Sequence, residues 1–285
     1  MTIFGIVNGP IAPFRGFGRG LGALALVVAG AASAAAPALP APPAPQQALP
    51  VSFATPALWK IQDADTTIYL FGTFHTLDGR TAWFDQRIRH AFDRSGELVL
   101  ETVAPADPAS AGREATTGAD GRPKAFIAQT RTAISNGQQQ LGLSVDHGAD
   151  MVLRRVAESS GKPVAGLERF EDQLRTLASI PTAAAAQPPV PAIASPPVTM
   201  DGLLRAWKAG DTGAFSTMLA GFEAKSPVAY RMLIADRNSR WADWIAERLD
   251  RPGIVFVAVG SGHLAGKDSV QQRLAVRGIA STRVG

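Results

Sequence analysis

The stretch "GIVFVAVGSGHLAG", residues 253–266, combines the strongest strand pattern of the chain with a polar ending. Its first eight residues include an uninterrupted apolar run, which is typical of a parallel strand buried on both faces. The run ends on a glycine, and His263 follows three residues later. The same order occurs in "TTIYLFGTFHTL", residues 66–77, where a glycine again precedes His75 by three residues. Two strands of the chain therefore end in a glycine and a histidine at the same spacing.

Strand and helix patterns alternate around these two stretches, which indicates an α/β domain over residues 57–285. We expect a central mixed, partly parallel sheet flanked by helices, with a helical insertion between Glu101 and Gly253. Further strands are predicted at 59–61, 97–103, 163–168 and 280–284. Helices are predicted at 81–95, 148–162, 169–180, 200–222, 226–250 and 268–277.

The N-terminal part of the chain differs in composition from the rest. Arg15 and Arg19 precede a short apolar run and an A-S-A sequence, which is typical of a secretory signal peptide over residues 1–36. A retained anchor is the alternative, but the run is shorter than the roughly 20 residues that a spanning helix needs. The Ala/Pro-rich residues 37–56 are predicted to form a disordered linker. We therefore expect a periplasmic or secreted protein with no membrane span after signal removal.

Composition excludes several classes of function. The chain contains no cysteine, so disulfides, a lipidated cysteine and thiol catalysis are excluded. Its net charge of +4 falls to +2 without the two arginines of the predicted signal peptide, and no basic run carries interleaved aromatic residues. Nucleic acid is therefore not an expected partner. The sequence also has no P-loop, dinucleotide fingerprint, H-E-x-x-H or G-x-S-x-G motif.

Four polar residues follow the predicted strands at their carboxyl ends. In open α/β sheets this edge carries the functional crevice. A carboxylate that ends an apolar strand is costly to bury without a partner, so these side chains would satisfy one another around a cation. Two histidines with one or two glutamates suit Zn²⁺, Mn²⁺, Co²⁺ or Fe²⁺. The four residues are His75, Glu101, Glu168 and His263.

Each of these residues also has a purely structural interpretation. A single G-x-x-H is a weak signal, because a histidine at a strand end is usually a hydrogen-bonded loop residue. Glu101 fits a buried salt bridge equally well, and Glu168 fits a cap on the helix that follows it. His90 and His147 are not candidates, because we expect the first on a solvated helix face and the second at a helix start.

Two pairs of residues complete the candidate site. Gly72 and Gly260 are predicted to let the backbone turn sharply at the strand ends. Arg237 and Asn238 stand at the start of an amphipathic pattern that carries two tryptophans. Arg237 is expected either in a surface ion pair or in the crevice, as an anion or oxyanion clamp.

Five blocks between residues 58 and 284 form a recognisable combination. They are "WKIQDADTTIYLFGTFHTL", "ELVLET", "GKPVAGLERFEDQL", "RNSRWADWIAERL" and "PGIVFVAVGSGHLAGKDSVQQRLAVRGI". Together they resemble the TraB/GumN family, which includes bacterial GumN-like proteins and the Tiki-type proteases of animals. The resemblance implies a fold related to the erythromycin-esterase and ChaN-like group, with a crevice at the carboxyl edge of a central sheet.

The resemblance also implies roles for the candidate residues. Tiki-type members are metal-dependent proteases whose two G-x-x-H motifs and a glutamate form the site. The two motifs fall here on the stretches that begin at Gly72 and Gly260, and Glu168 would complete the metal shell or act as general base. The metal ligands implied are His75, Glu101 and His263, and the catalytic residues implied are Glu168, Arg237 and Asn238.

We therefore expect an exported metal-dependent hydrolase with a peptide or protein substrate and a divalent ion, Mn, Co, Zn or Fe, as cofactor. The alternative is a non-enzymatic metal- or haem-binding accessory protein of polysaccharide biosynthesis or export, because GumN-like proteins are often named for exopolysaccharide gene clusters. A haem protein needs a flat apolar slot, for which five methionines and two tyrosines give little support.

Overall fold

The computed structural model describes residues 52–105, 135, 139–180 and 198–285. All of these residues belong to one unit, Leu49–Gly285. The predicted signal peptide lies outside the described residues, and so does the predicted linker up to residue 51. Within the described ranges, no helix is both long and apolar enough to cross a lipid bilayer.

The strands form two sheets, one of two strands and one of six. The strands are β1 (Ser52–Phe53), β2 (Leu58–Gln62), β3 (Thr66–Thr73), β4 (Thr81–Ala82), β5 (Glu97–Leu100), β6 (Val164–Gly166), β7 (Gly253–Gly260) and β8 (Thr282–Arg283). The six-stranded sheet has the order β6-β5-β7-β3-β2-β8. Its strands β6, β5, β7 and β3 are parallel, whereas β2 and β8 pair antiparallel. The prediction of a mixed, partly parallel sheet is confirmed.

Helices of the described chain surround this sheet, and six of them lie in the predicted insertion between β5 and β7. They are α1 (Gln86–Arg94), α2 (Ala149–Ser159), α3 (Phe170–Ser179), α4 (Met200–Lys208), α5 (Gly213–Lys225), α6 (Pro227–Tyr230), α7 (Asp236–Leu249) and α8 (Val270–Val276). A π-helical turn, Arg231–Ala235, joins α6 to α7 without a break. Short 3₁₀ turns occupy Val145–His147 and Ser261–Leu264.

Both faces of the sheet are buried, as the uninterrupted apolar run of β7 predicts. Successive side chains of a strand point to opposite faces. Phe256 and Ala258 accordingly join a core formed with α1, α2, α4 and α5, whereas Val255 and Val257 join a second core formed with α7 and α8. The helices form one layer on each side of the sheet, which leaves its carboxyl edge as the place where loops from several strands meet.

The predicted start of the first helix was wrong. Thr81 and Ala82 form β4, which pairs in parallel with β1, and α1 begins at Gln86 after Asp85, whose side chain accepts the Ile88 N–H. Trp83 is buried in the core, and it lies ahead of the helix rather than on it. The cause is β1, a strand distant in sequence that local periodicity does not reveal.

The end of the predicted linker is also ordered rather than disordered. Residues 52–56 lie within the described chain, and β1 belongs to them. The Ala54 N–H donates to the Ala82 carbonyl, and the Thr55 N–H donates to the Lys208 carbonyl at 2.7 Å. These hydrogen bonds fix the segment against β4 and the end of α4, so the ordered domain begins before Ala57.

Candidate functional site

The two strands that end in G-x-x-H are direct neighbours. β3 and β7 pair in parallel along their whole length, from Thr66 opposite Gly253 to Thr73 opposite Gly260. Parallel neighbours end at the same edge of a sheet, so the loops that carry His75 and His263 leave the sheet side by side.

The two glycines serve close approach rather than a sharp turn. Neither Gly72 nor Gly260 has a positive φ angle. A Cβ at Gly72 would lie 2.8 Å from Ser261 Oγ, and a Cβ at Gly260 would lie 2.9 Å from His75 Nε2 and 3.0 Å from Glu101 Oε1. A carbon atom at either position would force these side chains to shift, so glycine leaves room for side chains that approach the backbone there. The predicted role of these glycines in a sharp turn therefore does not depend on a left-handed backbone conformation.

A buried guanidinium lies at the centre of the site. Arg237 Nη2 donates to Glu101 Oε2 at 2.9 Å and also to Glu168 Oε1. Its Nη1 lies 3.2 Å from His263 Nε2 and donates to the Leu233 carbonyl at 3.3 Å. The Arg237 side chain is 6% exposed. Arg237 is thus neither in a surface ion pair nor available as a clamp for an anion or oxyanion. Its charge compensates two carboxylates of the protein itself.

The π-helical turn explains how Arg237 reaches this position. The Asp236 N–H bonds to the Arg231 carbonyl five residues earlier, so one extra residue is accommodated just before α7. Turns of this kind are frequent at functional sites. The guanidinium also lies 4.6 Å from the ring of Trp241, one helical turn further on, and Trp241 is fully buried.

Asn238 holds His263 through its ring Nδ1. His263 Nδ1 lies 2.6 Å from Asn238 Oδ1, and Asn238 Nδ2 donates to the carbonyls of His263 and Asp268. Because Arg237 can only donate, His263 Nε2 must be the accepting nitrogen and Nδ1 must carry the proton. Asn238 is fully buried, so it positions His263 and does not face a cavity.

These contacts determine the protonation states of Glu101 and His263. Burial by itself raises the pKa of Glu101, but the neighbouring histidines and Arg237 outweigh burial and lower the pKa to about 2. The Gly260 N–H, 2.5 Å from Glu101 Oε1, acts in the same direction. Burial lowers the pKa of His263 to about 3. Since a neutral His263 contributes no charge, Arg237, the protonated His75 and this N–H are the groups that keep Glu101 ionised.

His75 has a partner that the sequence pattern does not single out. Its Nδ1 lies 3.3 Å from Asp150 Oδ1, in the first turn of α2. Loss of surrounding water lowers the pKa of His75, but the hydrogen bond and charge of Asp150 outweigh that effect and raise the pKa to about 9. The His75 side chain is 57% exposed, so water weakens both effects. An aspartate in the first turn of a helix is common, which is why Asp150 carries no sequence signal.

Glu168 does not cap the helix that follows it. The residue at the N-cap of α3 is Arg169, and no side-chain hydrogen bond caps this helix. The Glu168 side chain turns instead toward Arg237, and its Oε2 lies 3.8 Å from Arg240. All four strand-end residues predicted from sequence therefore reach one edge of the sheet.

Two openings border this cluster. A cavity of about 210 Å³ lies beside His75 and Glu101, and an open groove of about 370 Å³ lies beside Glu168. The cavity is lined mostly by polar side chains, which include Thr73, Asp150, Arg154 and Gln173. The carboxylate edge of the sheet is thus accessible from two sides.

The donor atoms suit a metal ion in chemistry, although the described residues form no ready-made metal site. Among the described residues, no group of three or more His, Cys, Asp or Glu side chains is placed so that it could hold a metal ion as it stands. Glu101 Oε1 and His263 Nε2 are nevertheless 3.8 Å apart, a separation that two bonds of ~2.1 Å to one ion allow. His75 Nε2 and Glu101 Oε1 border the space that a Cβ at Gly260 would fill.

Comparison with known proteins identifies the family. The model of the TraB/PrgY/gumN family matches residues 57–121 and 109–283. The chain belongs to this family. No curated protein and no solved structure matches the chain. In this member of the TraB/PrgY/gumN family, the matched residues include both G-x-x-H stretches and all four strand-end residues.

Replacing Arg237 by methionine tests the role of the buried guanidinium. The change leaves the Glu101 and Glu168 carboxylates buried without their main counter-charge, which costs about 3–5 kcal/mol. We expect a melting temperature lower by roughly 6–20 °C in a calorimetric scan. Arg240→Met is the matched control, because Arg240 is 58% exposed and its ion pair contributes less than about 1 kcal/mol. Equal, small shifts in both variants would contradict the assignment.

Proposed function

We propose that this TraB/PrgY/gumN-family chain is an exported metal-dependent hydrolase of peptide bonds, with a divalent ion held by His75, Glu101 and His263. The observation that carries the proposal is the convergence on Glu101 Oε1, which borders the space beside Gly260 together with His75 Nε2 and lies 3.8 Å from His263 Nε2. The resemblance to Tiki-type proteases supports it, because those proteins use two G-x-x-H motifs and a glutamate for the same purpose.

The protonation of Glu101 and His263 suits metal binding, whereas His75, whose pKa is raised to about 9, would give up a ring proton when an ion binds. A ligand must offer a lone pair, so carboxylates must be ionised and imidazoles neutral. Glu101 is held in its charged form, and His263 is neutral with its lone pair on Nε2. A side chain that fixes the second ring nitrogen is typical of metal-bound histidines, and Asn238 does this for His263. Mn, Co, Zn and Fe all accept such mixed nitrogen and oxygen donors.

With an ion bound, Arg237 would keep its contact with Glu101 and lose its contact with His263. Its Nη2 binds Glu101 through Oε2, whereas Oε1 faces Gly260 and His263, so the carboxylate has one oxygen for each cation. The contact between Arg237 Nη1 and His263 Nε2 would have to open, because both an ion and Nη1 require the same lone pair. Arg237 then remains the group that keeps Glu101 and Glu168 in place.

The proton transfers of hydrolysis are assigned to side chains of the protein. A divalent ion, when bound, polarises the substrate carbonyl and acidifies a bound water. We assign Glu168 as the general base, because its carboxylate lies at the same edge of the sheet and lines the open groove. In peptide hydrolysis the base takes a proton from water, oxygen bonds to the carbonyl carbon, the C–N bond breaks and the leaving amine receives a proton.

The lining of the cavity favours this proposal over haem binding. Haem needs a flat apolar slot, whereas the cavity beside His75 is bordered by charged and hydroxyl-bearing side chains such as Glu101, Asp150 and Thr73. Backbone amides of a peptide can donate to and accept from such groups. Export is proposed from the basic, apolar and small-residue pattern of residues 1–36.

The four histidines of the chain provide a test with internal controls. We expect His75→Gln and His263→Gln to lose most Mn²⁺ or Zn²⁺ binding, measured by calorimetry, and hydrolysis of a peptide library, measured by mass spectrometry. The physical reason is that each change removes one of three proposed ligands. His90→Gln and His147→Gln should bind and cleave like the unchanged protein, because both residues are exposed outside the site.

Two outcomes would overturn the proposal. Equal metal affinity in all four variants would remove His75 and His263 as ligands. If metal binding depends on both residues but no peptide is cleaved, the protein binds a metal and the assignment as a hydrolase is wrong.

Export has a separate test in the mature N-terminus. If the basic, apolar and small-residue pattern is a signal peptide, protein recovered from outside the cytoplasm of its host should begin between Ala34 and Ala36. Edman sequencing or mass spectrometry of the intact chain measures this directly. Recovery of the chain with Met1 still attached would contradict export by this route.

A further inference from the structure

Asp150 is a buried acceptor that has His75 as its partner. The two side chains approach to 3.3 Å between Asp150 Oδ1 and His75 Nδ1. This Oδ1 is buried and has no partner with full hydrogen-bond geometry in the described part of the chain, so the contact with His75 Nδ1 is the interaction that compensates its charge. A carboxylate oxygen removed from water needs a compensating partner, and the imidazole supplies it.

Backbone hydrogen bonds and a glycine bring Asp150 to this position. The Ala149 N–H donates to the Phe74 carbonyl at 3.0 Å, so the first turn of α2 is bonded to the loop that carries His75. Leu77 and Ser144 exchange two further backbone hydrogen bonds on the other side of the loop. At Gly148, a Cβ would lie 2.2 Å from the His75 carbonyl oxygen, so only glycine permits this approach.

The contact decides which nitrogen of His75 faces the site. A carboxylate accepts, so the proton of a neutral His75 stays on Nδ1 and the lone pair lies on Nε2. Nε2 is the atom that borders Gly260 and Glu101 Oε1. His263 is held in the same way, with Nδ1 against Asn238 and Nε2 toward Glu101. Both strand-end histidines are therefore oriented by an acceptor on a neighbouring helix.

We infer that Asp150 is a positioning residue that fixes the ring orientation and the Nδ1–H tautomer of His75, so that Nε2 is presented to the site formed with Glu101 and His263. The inference rests on the proposed function only where it makes Nε2 a metal ligand. The orientation of the ring follows from the contacts of the metal-free chain.

The tautomer of His75 is measured by ring ¹⁵N NMR on the metal-free protein, at a pH where the ring is neutral, with assignment from the spectrum of His75→Gln. The unchanged protein should show the Nδ1–H tautomer. Asp150→Ala should change it to Nε2–H, the form that histidine prefers in water. Asp150→Asn should retain Nδ1–H, because its amide oxygen still accepts and its shape guards against misfolding.

Metal affinity provides a second, independent measurement with Mn²⁺ alone as the probe. Loss of an outer partner of a metal-bound histidine typically weakens binding 10–100-fold, so we expect a loss of about that size in Asp150→Ala. Asp146→Asn is the control, since Asp146 is an exposed aspartate four residues earlier and should alter neither measurement.

The outcomes separate this inference from the proposed function. An Nε2–H tautomer in the unchanged protein, or an Nδ1–H tautomer that persists in Asp150→Ala, overturns the role of Asp150. If the unchanged protein binds no Mn²⁺, the proposed metal site fails, whereas the tautomer measurement still decides what Asp150 does.

Discussion

The charge of Arg237, buried between two glutamates, is the interaction on which the site depends. Glu101 and Glu168 end neighbouring parallel strands, and each side chain is almost completely withdrawn from water. Two such carboxylates so close together would repel each other and favour protonation. The guanidinium, whose pKa is raised because the attraction of Glu101 and Glu168 outweighs its burial, allows both to stay at the sheet edge. The π-helical turn before α7 and the ring of Trp241 keep it there.

Two neighbouring strands bring a histidine each to the sheet edge beside this charge. The parallel pairing of β3 with β7 brings His75 and His263 to the same edge, and the absence of a Cβ at Gly260 leaves room for Glu101 Oε1 and His75 Nε2. Each imidazole is held at Nδ1 by a side chain from an adjacent helix. The site therefore combines a rigid sheet edge with two imidazoles whose Nε2 atoms point inward, which is what preorganised chemistry requires.

Much of this arrangement could be predicted from the sequence, because the carboxyl ends of parallel strands must share an edge. That constraint was enough to select His75, Glu101, Glu168 and His263 together. What could not be predicted depends on contacts between distant segments. The use of glycine for close approach is visible only when Ser261 and Glu101 are in place. β4 needs β1 as its partner, and Asp150 becomes a candidate only when α2 is bonded to the loop after β3.

The most direct test of the central claim is anomalous diffraction from crystals of the protein grown with Mn²⁺. The proposed arrangement predicts one strong anomalous peak, bonded to Glu101 Oε1 and to the Nε2 atoms of His75 and His263, with Arg237 still bound to Glu101 Oε2. A structure at saturating Mn²⁺ that shows no peak at this position, and Arg237 still in contact with His263 Nε2, would contradict it.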